Sequence, residues 1–240
     1  MIEDGLIAGT TRLDKMKEAV LSFDQLLTQG ITAPDDEDSS TTPYKLVVAR
    51  QALFWRTKEI AEGVISALET QNWLAAAILG RSLMETVSFQ VEITRIVQQA
   101  GSLIPPSDLE HKVSRILRNT RETEQSINRL ALLDMVNKVD KAVENFRNVH
   151  ATLGEYITPS IQNTLMLFSD HRPNAGSVNF QKYARGTDGL ETACFDALKL
   201  SLFASIHFLG IQMNHMQSFR EICDTYEQKV LEEQRGILSI

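Results

Sequence analysis

An arginine and a glutamate stand inside an otherwise apolar segment of the sequence, AAAILGRSLMET, which covers residues 75–86. Arg81 and Glu85 are four positions apart, so on a helix they are neighbours. An arginine that precedes the glutamate is the weaker orientation of such a pair, so helix stability alone is a thin reason for it. Charges at the border of a core need partners, because an unpaired buried charge is strongly destabilising. The pair is therefore either purely structural or part of a functional or interface cluster.

Several common kinds of site are missing from the sequence. It contains no Walker-type or dinucleotide-binding glycine loop and no paired cysteine motif for zinc. A ferritin-like iron centre in a helical bundle needs two Glu-x-x-His pairs, whereas this chain offers only Asp108 with His111. His207 and His215 would point about 80° apart around one helix. We therefore expect neither a bound metal nor a cofactor.

Basic side chains recur every three residues in one predicted helix and form a ridge: Lys112, Arg115, Arg118 and Arg121. Such a ridge could contact phosphates, but Glu122 and Glu124 adjoin it. The formal net charge of −7 also repels nucleic acid and anionic membranes on average. We therefore interpret the ridge as a solvated helix face, and RNA as a disfavoured partner.

Hydrophobic periodicity is almost entirely helical, and it predicts an all-α bundle of about six to seven helices in one domain over residues 1–240. A long first hairpin pairs a helix over 44–69 with one over 73–99, antiparallel because the connection is short. The last helix starts at Asp188, with Glu191 completing a capping box. Its apolar residues, at alternating spacings of three and four, predict a packing seam within the bundle or against a second copy. They are Leu198, Leu202, Ile206, Leu209, Met213, Met216, Phe219, Cys223, Tyr226 and Val230.

The remaining boundaries follow from capping residues, prolines and composition. We expect an exposed, flexible acidic loop over 31–43 and a long loop over 169–189. Three other helices are predicted. The first runs from Thr10 to Gly30, and the second runs from Asp108 toward Phe146 with a break near TRETEQ. The third runs from Asn148 to Ile157 and is ended by Pro159, because a residue before proline is disfavoured in helical geometry. Ser107 and Glu110 form the predicted capping box of the second of these.

The sequence indicates a cytoplasmic protein, because its amino terminus lacks the features of a secretory signal. Cys194 and Cys223 lie far apart on one predicted helix, so we expect small core residues and no disulfide. The most apolar stretch, LSLFASIHFLGIQM, is fourteen residues long and contains His207. It fits a buried helix better than a membrane span, so no membrane partner is expected.

Two blocks of the sequence resemble a known group of proteins. LAAAILGRSLMET and the block over residues 127–169, which begins INRLALLDMVNK, are similar to poorly characterised bacterial all-helical proteins related to the HEPN superfamily. Those proteins share an Arg-x-x-x-Glu helix followed by a helix that ends in a Ser-Glu-aromatic-x-His-Pro-Asn type signature. The match spans about a quarter of the chain.

The resemblance implies which residues would form a site. Arg81 and Glu85 take the place of the charged pair, and Glu155 and Pro159 fall within the second signature. Thr158 stands where the family has histidine. HEPN-type ribonucleases are dimers that cleave RNA with an arginine and a histidine four to six residues apart, whereas Arg147 and His150 here are only three apart. Threonine cannot carry a proton as imidazole does near neutral pH, so the resemblance implies a degenerate active site.

Three hypotheses follow. The favoured one is a non-catalytic helical module that forms a homodimer or binds a protein partner, by analogy in a phage-defence or toxin setting. In it Arg81, Glu85 and Glu155 form a polar network between helices, and the last helix contributes to a subunit interface. The alternative is a metal-independent ribonuclease that uses Arg81, Glu85, Arg147, His150 or Glu155. A third is a small-ligand sensor with a pocket lined by Trp73, Met84 and Met213.

Overall fold

The computed structural model describes residues 11–34, 40–118, 129–170, 178–183 and 187–238. Within those ranges the regular structure is helical, apart from two isolated β-bridges, which confirms the predicted all-α bundle with a long carboxyl-terminal helix. The helices are α1 (Arg12–Ser22), α2 (Thr42–Glu69), α3 (Trp73–Ser88), α4 (Gln90–Gln99), α5 (Pro106–Arg118), α6 (Arg129–Asp140), α7 (Phe146–Ile157), α8 (Ile161–Phe168) and α9 (Asp188–Leu238).

The predicted long hairpin is present as α2 and α3. A Cβ atom at Gly63 would lie 3.2 Å from Leu79 Cδ1, and Arg56 Nε donates to Thr86 Oγ1 at 3.1 Å. Arg56 precedes Gly63 on α2, whereas its partner Thr86 follows Leu79 on α3. The two helices are therefore antiparallel, as the short connection predicts.

The chain divides into two compact units. The first comprises 1–25, 58–84 and 145–202, and the second comprises 26–57, 85–144 and 203–240, each in its described residues. The prediction of a single domain over 1–240 stays a prediction.

In the first unit, three helices meet at Gly80. A Cβ atom there would lie 3.4 Å from Ala197 Cβ and 3.5 Å from Leu153 Cδ1, so α3 approaches both α9 and α7 at van der Waals distance. The same unit contains several large side chains that are almost fully buried: Leu83, Met84, Phe146, Leu153, Leu190 and Leu198. Dense packing of this kind makes the core of the unit sensitive to changes in side-chain volume.

The core of the second unit combines an apolar cluster with buried hydrogen bonds. The cluster consists of Leu46, Ala49, Ile93, Ile96, Val97, Ile104, Leu109, Val113, Met216, Phe219 and Cys223. Two buried amides then link α4 to α9: Gln90 Nε2 donates to Ser205 Oγ at 3.2 Å, and Gln212 Nε2 donates to Thr94 Oγ1 at 3.0 Å. These bonds partly satisfy polar groups that burial would otherwise penalise.

Two predicted helix boundaries are wrong for local reasons. The helix expected over 73–99 is divided at Phe89, whose N–H donates to Thr86 O at 3.3 Å in a tightened turn. The helix expected to reach Phe146 ends at Asp140, and Asn145 adopts a left-handed conformation (φ 71°) before α7 begins. Asparagine tolerates that conformation better than most residues, so it permits the reversal. The break predicted near TRETEQ lies outside the described residues.

The predicted start of α5 is also wrong. Pro106 is the first helical residue, a position that suits proline because its missing N–H has no partner there in any helix. Ser107 is therefore inside the helix and not its cap. Glu110 instead accepts hydrogen bonds from Thr42 Oγ1 (2.6 Å) and from Lys45 Nζ of α2.

Two further elements differ from expectation. α1 begins after Thr11, which forms a capping box with Asp14, and it ends at Ser22 before a 3₁₀ turn over Phe23–Leu26, well short of Gly30. α8 was not predicted, because eight residues show too few turns for periodicity to be evident. Ser160 caps α8 by accepting from the Asn163 N–H at 3.0 Å. Of the predicted loops, residues 35–39, 171–177 and 184–186 lie outside the described part of the chain.

Candidate functional site

Arg81 lies against the backbone of α7. Its Nη1 atom is only 2.5 Å from where a Cβ atom would be built on Gly154. Gly154 is in the last turn of α7, where helix carbonyls carry partial negative charge and favour a nearby cation. The half-buried guanidinium of Arg81 is thus held at a helix end within the first unit.

Thr158 completes the same helix end. Its N–H donates to Gly154 O at 3.0 Å, and its Oγ1 donates to the same carbonyl at 2.6 Å. The residue that stands where the resembled family has histidine therefore caps α7. The hydrogen bond from its hydroxyl to a backbone carbonyl is a structural reason for a threonine at this position.

The three candidate residues on α7 lie at different depths. His150 is buried with 3 % of its surface exposed, whereas Arg147 and Glu155 are exposed. Glu155 follows Gly154 by one residue and so points about 100° away from it around the helix. α7 therefore brings Arg147 and His150 to the side of Gly154 and turns Glu155 toward solvent.

Glu85 is half-buried on α3, one turn after Arg81. Glu155 forms no ion pair with any other described residue, and its exposed position places it outside the predicted polar network. What the structure does bring together is Arg81 with the end of α7, through a glycine that sequence reasoning had not singled out. The signal that could have identified Gly154 is its place inside a strong helical pattern, where glycine is costly unless something approaches closely.

The residues of the proposed sensor pocket do not share one environment. Met84 is completely buried, whereas 57 % of the Met213 surface is exposed. The basic ridge is described only in part: Lys112 is half-buried, Arg115 and Arg118 belong to α5 without described side chains, and Arg121 lies outside the described residues.

Both cysteines are buried and free, as predicted. Burial raises the pKa of Cys194 to about 12, with Glu191 adding to the shift. Burial likewise raises the pKa of Cys223 to about 12, with Asp224, Glu110 and Glu227 adding to it. Neither thiol is thus poised for nucleophilic chemistry near neutral pH. Among the described residues, no three His, Cys, Asp or Glu side chains come together in a way that could hold a metal ion.

α9 carries an exposed apolar face in the second unit. Phe203 (57 % exposed), Ile206 (56 %) and Met213 (57 %) are among the large apolar side chains that reach solvent. Gly210 lies between them, and no described atom is within 4 Å of the place its Cβ would occupy. We call Phe203, Ile206, Gly210 and Met213 the α9 face. The ring of Phe203 also stacks with His207, with centroids 6.4 Å apart.

The predicted seam on α9 is divided between core and surface. Leu198, Leu202, Met216, Phe219 and Cys223 are buried, but Ile206 and Met213 are not. Each step of four residues, as from Leu198 to Leu202 to Ile206, turns the helix face by about 40°. Two such steps carry Ile206 out of the buried side, so part of the stripe is left facing outward.

The α9 face lies in a stretch that lacks formal charges. Between Lys199 and Arg220 the sequence contains no Asp, Glu, Lys or Arg, although 23 % of the chain is charged. Depletion of charge combined with exposed aromatic and methionine side chains is typical of the centre of a protein interface. In the described part of the chain, one helix, α9, is long and apolar enough to cross a membrane. Half of its apolar window is buried, and core helices have the same length and composition.

Comparisons of the chain with family models, with curated proteins and with solved structures found no match. The relationship to the HEPN superfamily therefore stays a prediction.

Proposed function

We propose that this protein is a non-catalytic helical module that forms a homodimer through the α9 face. The observation that carries the proposal is the exposure of three large apolar side chains on one side of α9, within a stretch free of formal charge. Soluble monomeric proteins rarely expose large contiguous apolar patches, so such a patch marks an interaction site.

The spacing of the α9 face favours a second copy of this chain as the partner. Positions 203, 206, 210 and 213 are separated by three, four and three residues, a pattern that reads the same in both directions. A two-fold axis near residue 208 would therefore place an antiparallel copy in register, as an isologous interface requires.

The side chains paired by that axis are complementary. Phe203 would lie opposite the partner subunit's Met213, and sulfur–aromatic contacts are favourable. Ile206 would lie opposite the partner subunit's Gly210, where open space accepts a large side chain. Each contact occurs twice, so four apolar contacts form the centre of the interface.

Two substitutions test this interface. Ile206→Glu and Phe203→Glu each place a carboxylate at the centre of the predicted contact, and each should raise the dimer dissociation constant about tenfold or more. The measurement is sedimentation velocity over a dilution series of the full chain, with circular dichroism to confirm unchanged helix content.

Ile161→Glu is the matched control. Ile161 on α8 is 79 % exposed but lies outside the α9 face, so this change should leave the dissociation constant unaltered. A wild-type chain that stays monomeric at every concentration, or an Ile161→Glu variant that dissociates as readily as Ile206→Glu, would overturn the proposal.

The non-catalytic part of the proposal has its own assay. His150 is enclosed in the first unit and Thr158 caps α7, which favours a structural role for this helix end. Purified protein incubated with labelled RNA should therefore leave it intact. Cleavage that is abolished by Arg81→Ala, His150→Ala or Glu155→Gln would support the ribonuclease alternative instead.

A further inference from the structure

Arg50 of α2 is a buried cation without an anionic partner among the described residues. Only 8 % of its surface is exposed, and its Nε atom is enclosed without a hydrogen-bond acceptor. Its Nη1 atom contacts Met213 Sδ at 3.7 Å, and a thioether sulfur is a weak acceptor. The buried positive charge of Arg50 is thus not balanced by a negative charge among the described residues, which is energetically costly.

The carboxylates that reach the beginning of α2 are engaged elsewhere. Glu110 accepts from Thr42 and Lys45, and Asp224 accepts from the Ser40 N–H at 3.0 Å. Lys45 and Thr42 lie about one and a half and two turns before Arg50 on α2, and Ser40 precedes the helix. No described carboxylate forms an ion pair with Arg50.

The positive charge of a second guanidinium acts on the first. Burial lowers the pKa of Arg50, and the positive charge of Arg220 on α9 lowers it further. Arg220 is itself exposed, and so is Met213, the side chain that contacts Arg50. Two like charges repel, and an anion bound beside Arg50 would offset that repulsion. In the monomer, the exposed and flexible Met213 side chain is the one past which an anion would enter from solvent.

We propose that Arg50 and Arg220 bind a small oxyanion, a carboxylate or a phosphate. The guanidinium group presents a rigid fork of N–H donors that matches two oxygens of either group. This site goes beyond the proposed dimerisation, because both of its guanidinium groups belong to one chain, although Met213 beside Arg50 is also part of the α9 face.

The probes are inorganic phosphate and sodium acetate, each compared with sodium chloride at the same ionic strength. We expect at least one of them to raise the Tm of the full-length protein in a concentration-dependent way, because a ligand that binds only the folded state stabilises it. Isothermal titration calorimetry gives the Kd. Phosphate and acetate distinguish the two chemical sources of the anion.

Variants assign the effect to the site. Arg220→Gln should raise the Kd about tenfold, the result of losing one charge-assisted hydrogen bond. Because Arg220 is exposed, its replacement should leave the fold intact. Arg50→Met should abolish the response. Arg56→Met, on the same helix but exposed, should retain it.

Met213→Glu supplies an internal carboxylate beside Arg50. It should raise the Tm in chloride and remove the response to the added anion. The comparison is made in the Ile206→Glu background, so that a change in dimerisation does not enter the result. The proposal is overturned if neither anion binds the wild-type chain or the Ile206→Glu variant, or if Arg50→Met and Arg220→Gln both bind as the wild type does.

Discussion

Gly154 occupies a position in α7 where a side chain would collide with Arg81. The distance of 2.5 Å from the Arg81 Nη1 atom to the place of a Cβ is shorter than real Cβ contacts. Glycine inside a helix is ordinarily unfavourable relative to alanine by about 0.5–1 kcal/mol. At this residue the close approach of a cation to the helix end offsets that cost.

Gly154→Ala should therefore stabilise the protein by less than the usual gain of about 0.5–1 kcal/mol for alanine in a helix, because the far end of the Arg81 side chain must move away from α7. In an Arg81→Ala background the same substitution should stabilise by about 0.5–1 kcal/mol, the ordinary effect of alanine in a helix. Chemical denaturation of the four proteins of this double-mutant cycle measures both effects. Equal effects in the two backgrounds would show that Arg81 does not depend on Gly154.

At the residue scale, the sequence indicated some of these features and not others. Arg81 stood out because charge inside an apolar helical segment is unusual, and the cysteines were correctly predicted to be buried and free. Arg50 gave no signal, because its environment is created by Met213 and Arg220 from α9, distant in the chain. A contact of that kind depends on how α2 and α9 pack, which a single sequence does not reveal.

At the scale of elements, Glu110 links the beginning of α5 to the beginning of α2. Burial favours its neutral form, but hydrogen bonds from Lys45, Thr42 and Ser114 together lower the pKa of Glu110 below its ordinary value of 4.5. A carboxylate with a lowered pKa contributes stability above the pKa of the unfolded chain, and that contribution is lost as the pH falls through the lower, folded-state value.

Glu110→Gln should therefore lower the free energy of unfolding at neutral pH by about 1 kcal/mol or less, since the group is largely exposed and screened. The difference from the wild type should shrink as the pH falls below 4.5. Urea denaturation of both proteins from about pH 3 to about pH 7 measures this difference on both sides of the ordinary pKa of a glutamate. Lys45→Met is the control, because removing the cation should reduce the effect of Glu110→Gln. A difference that is constant over the whole range would contradict the assignment.

Long helices were predictable from sequence, and short or interrupted ones were not. α2 and α9 repeat their apolar pattern over many turns, so their existence was clear. The division at Phe89 and the end of α6 at Asp140 depend on single turns, where local hydrogen bonds outweigh periodicity. The side of α9 that faces solvent was also not predictable, because the apolar stripe continues from core to surface without a break in composition.

At the scale of the whole molecule, a substitution at Gly210 should have opposite effects on the stability of one chain and on the association of two chains. In a single chain the site is open, so Gly210→Ala should raise the free energy of unfolding by about 0.5–1 kcal/mol. In the proposed dimer the added methyl group meets the partner subunit's Ile206, so the dissociation constant should increase. Denaturation at high dilution and sedimentation velocity measure the two effects separately.

Ser218→Ala serves as the comparison for that prediction. Ser218 is exposed on α9 but is turned about 100° from the middle of the α9 face, so its replacement should improve helix propensity without altering association. If Gly210→Ala stabilised the chain and left the dissociation constant unchanged, Gly210 would lie outside the contact between copies.

The two buried amides between α4 and α9 have a consequence for recognition. Because Gln90 holds Ser205 and Gln212 holds Thr94, α9 is anchored at two points two turns apart and cannot rotate about its axis without breaking both bonds. The rotation of α9 about its own axis is therefore fixed by buried hydrogen bonds. The side chains of the α9 face are exposed to solvent before a partner binds. Such preorganisation lowers the entropic cost of association and favours rigid-body docking over folding upon binding.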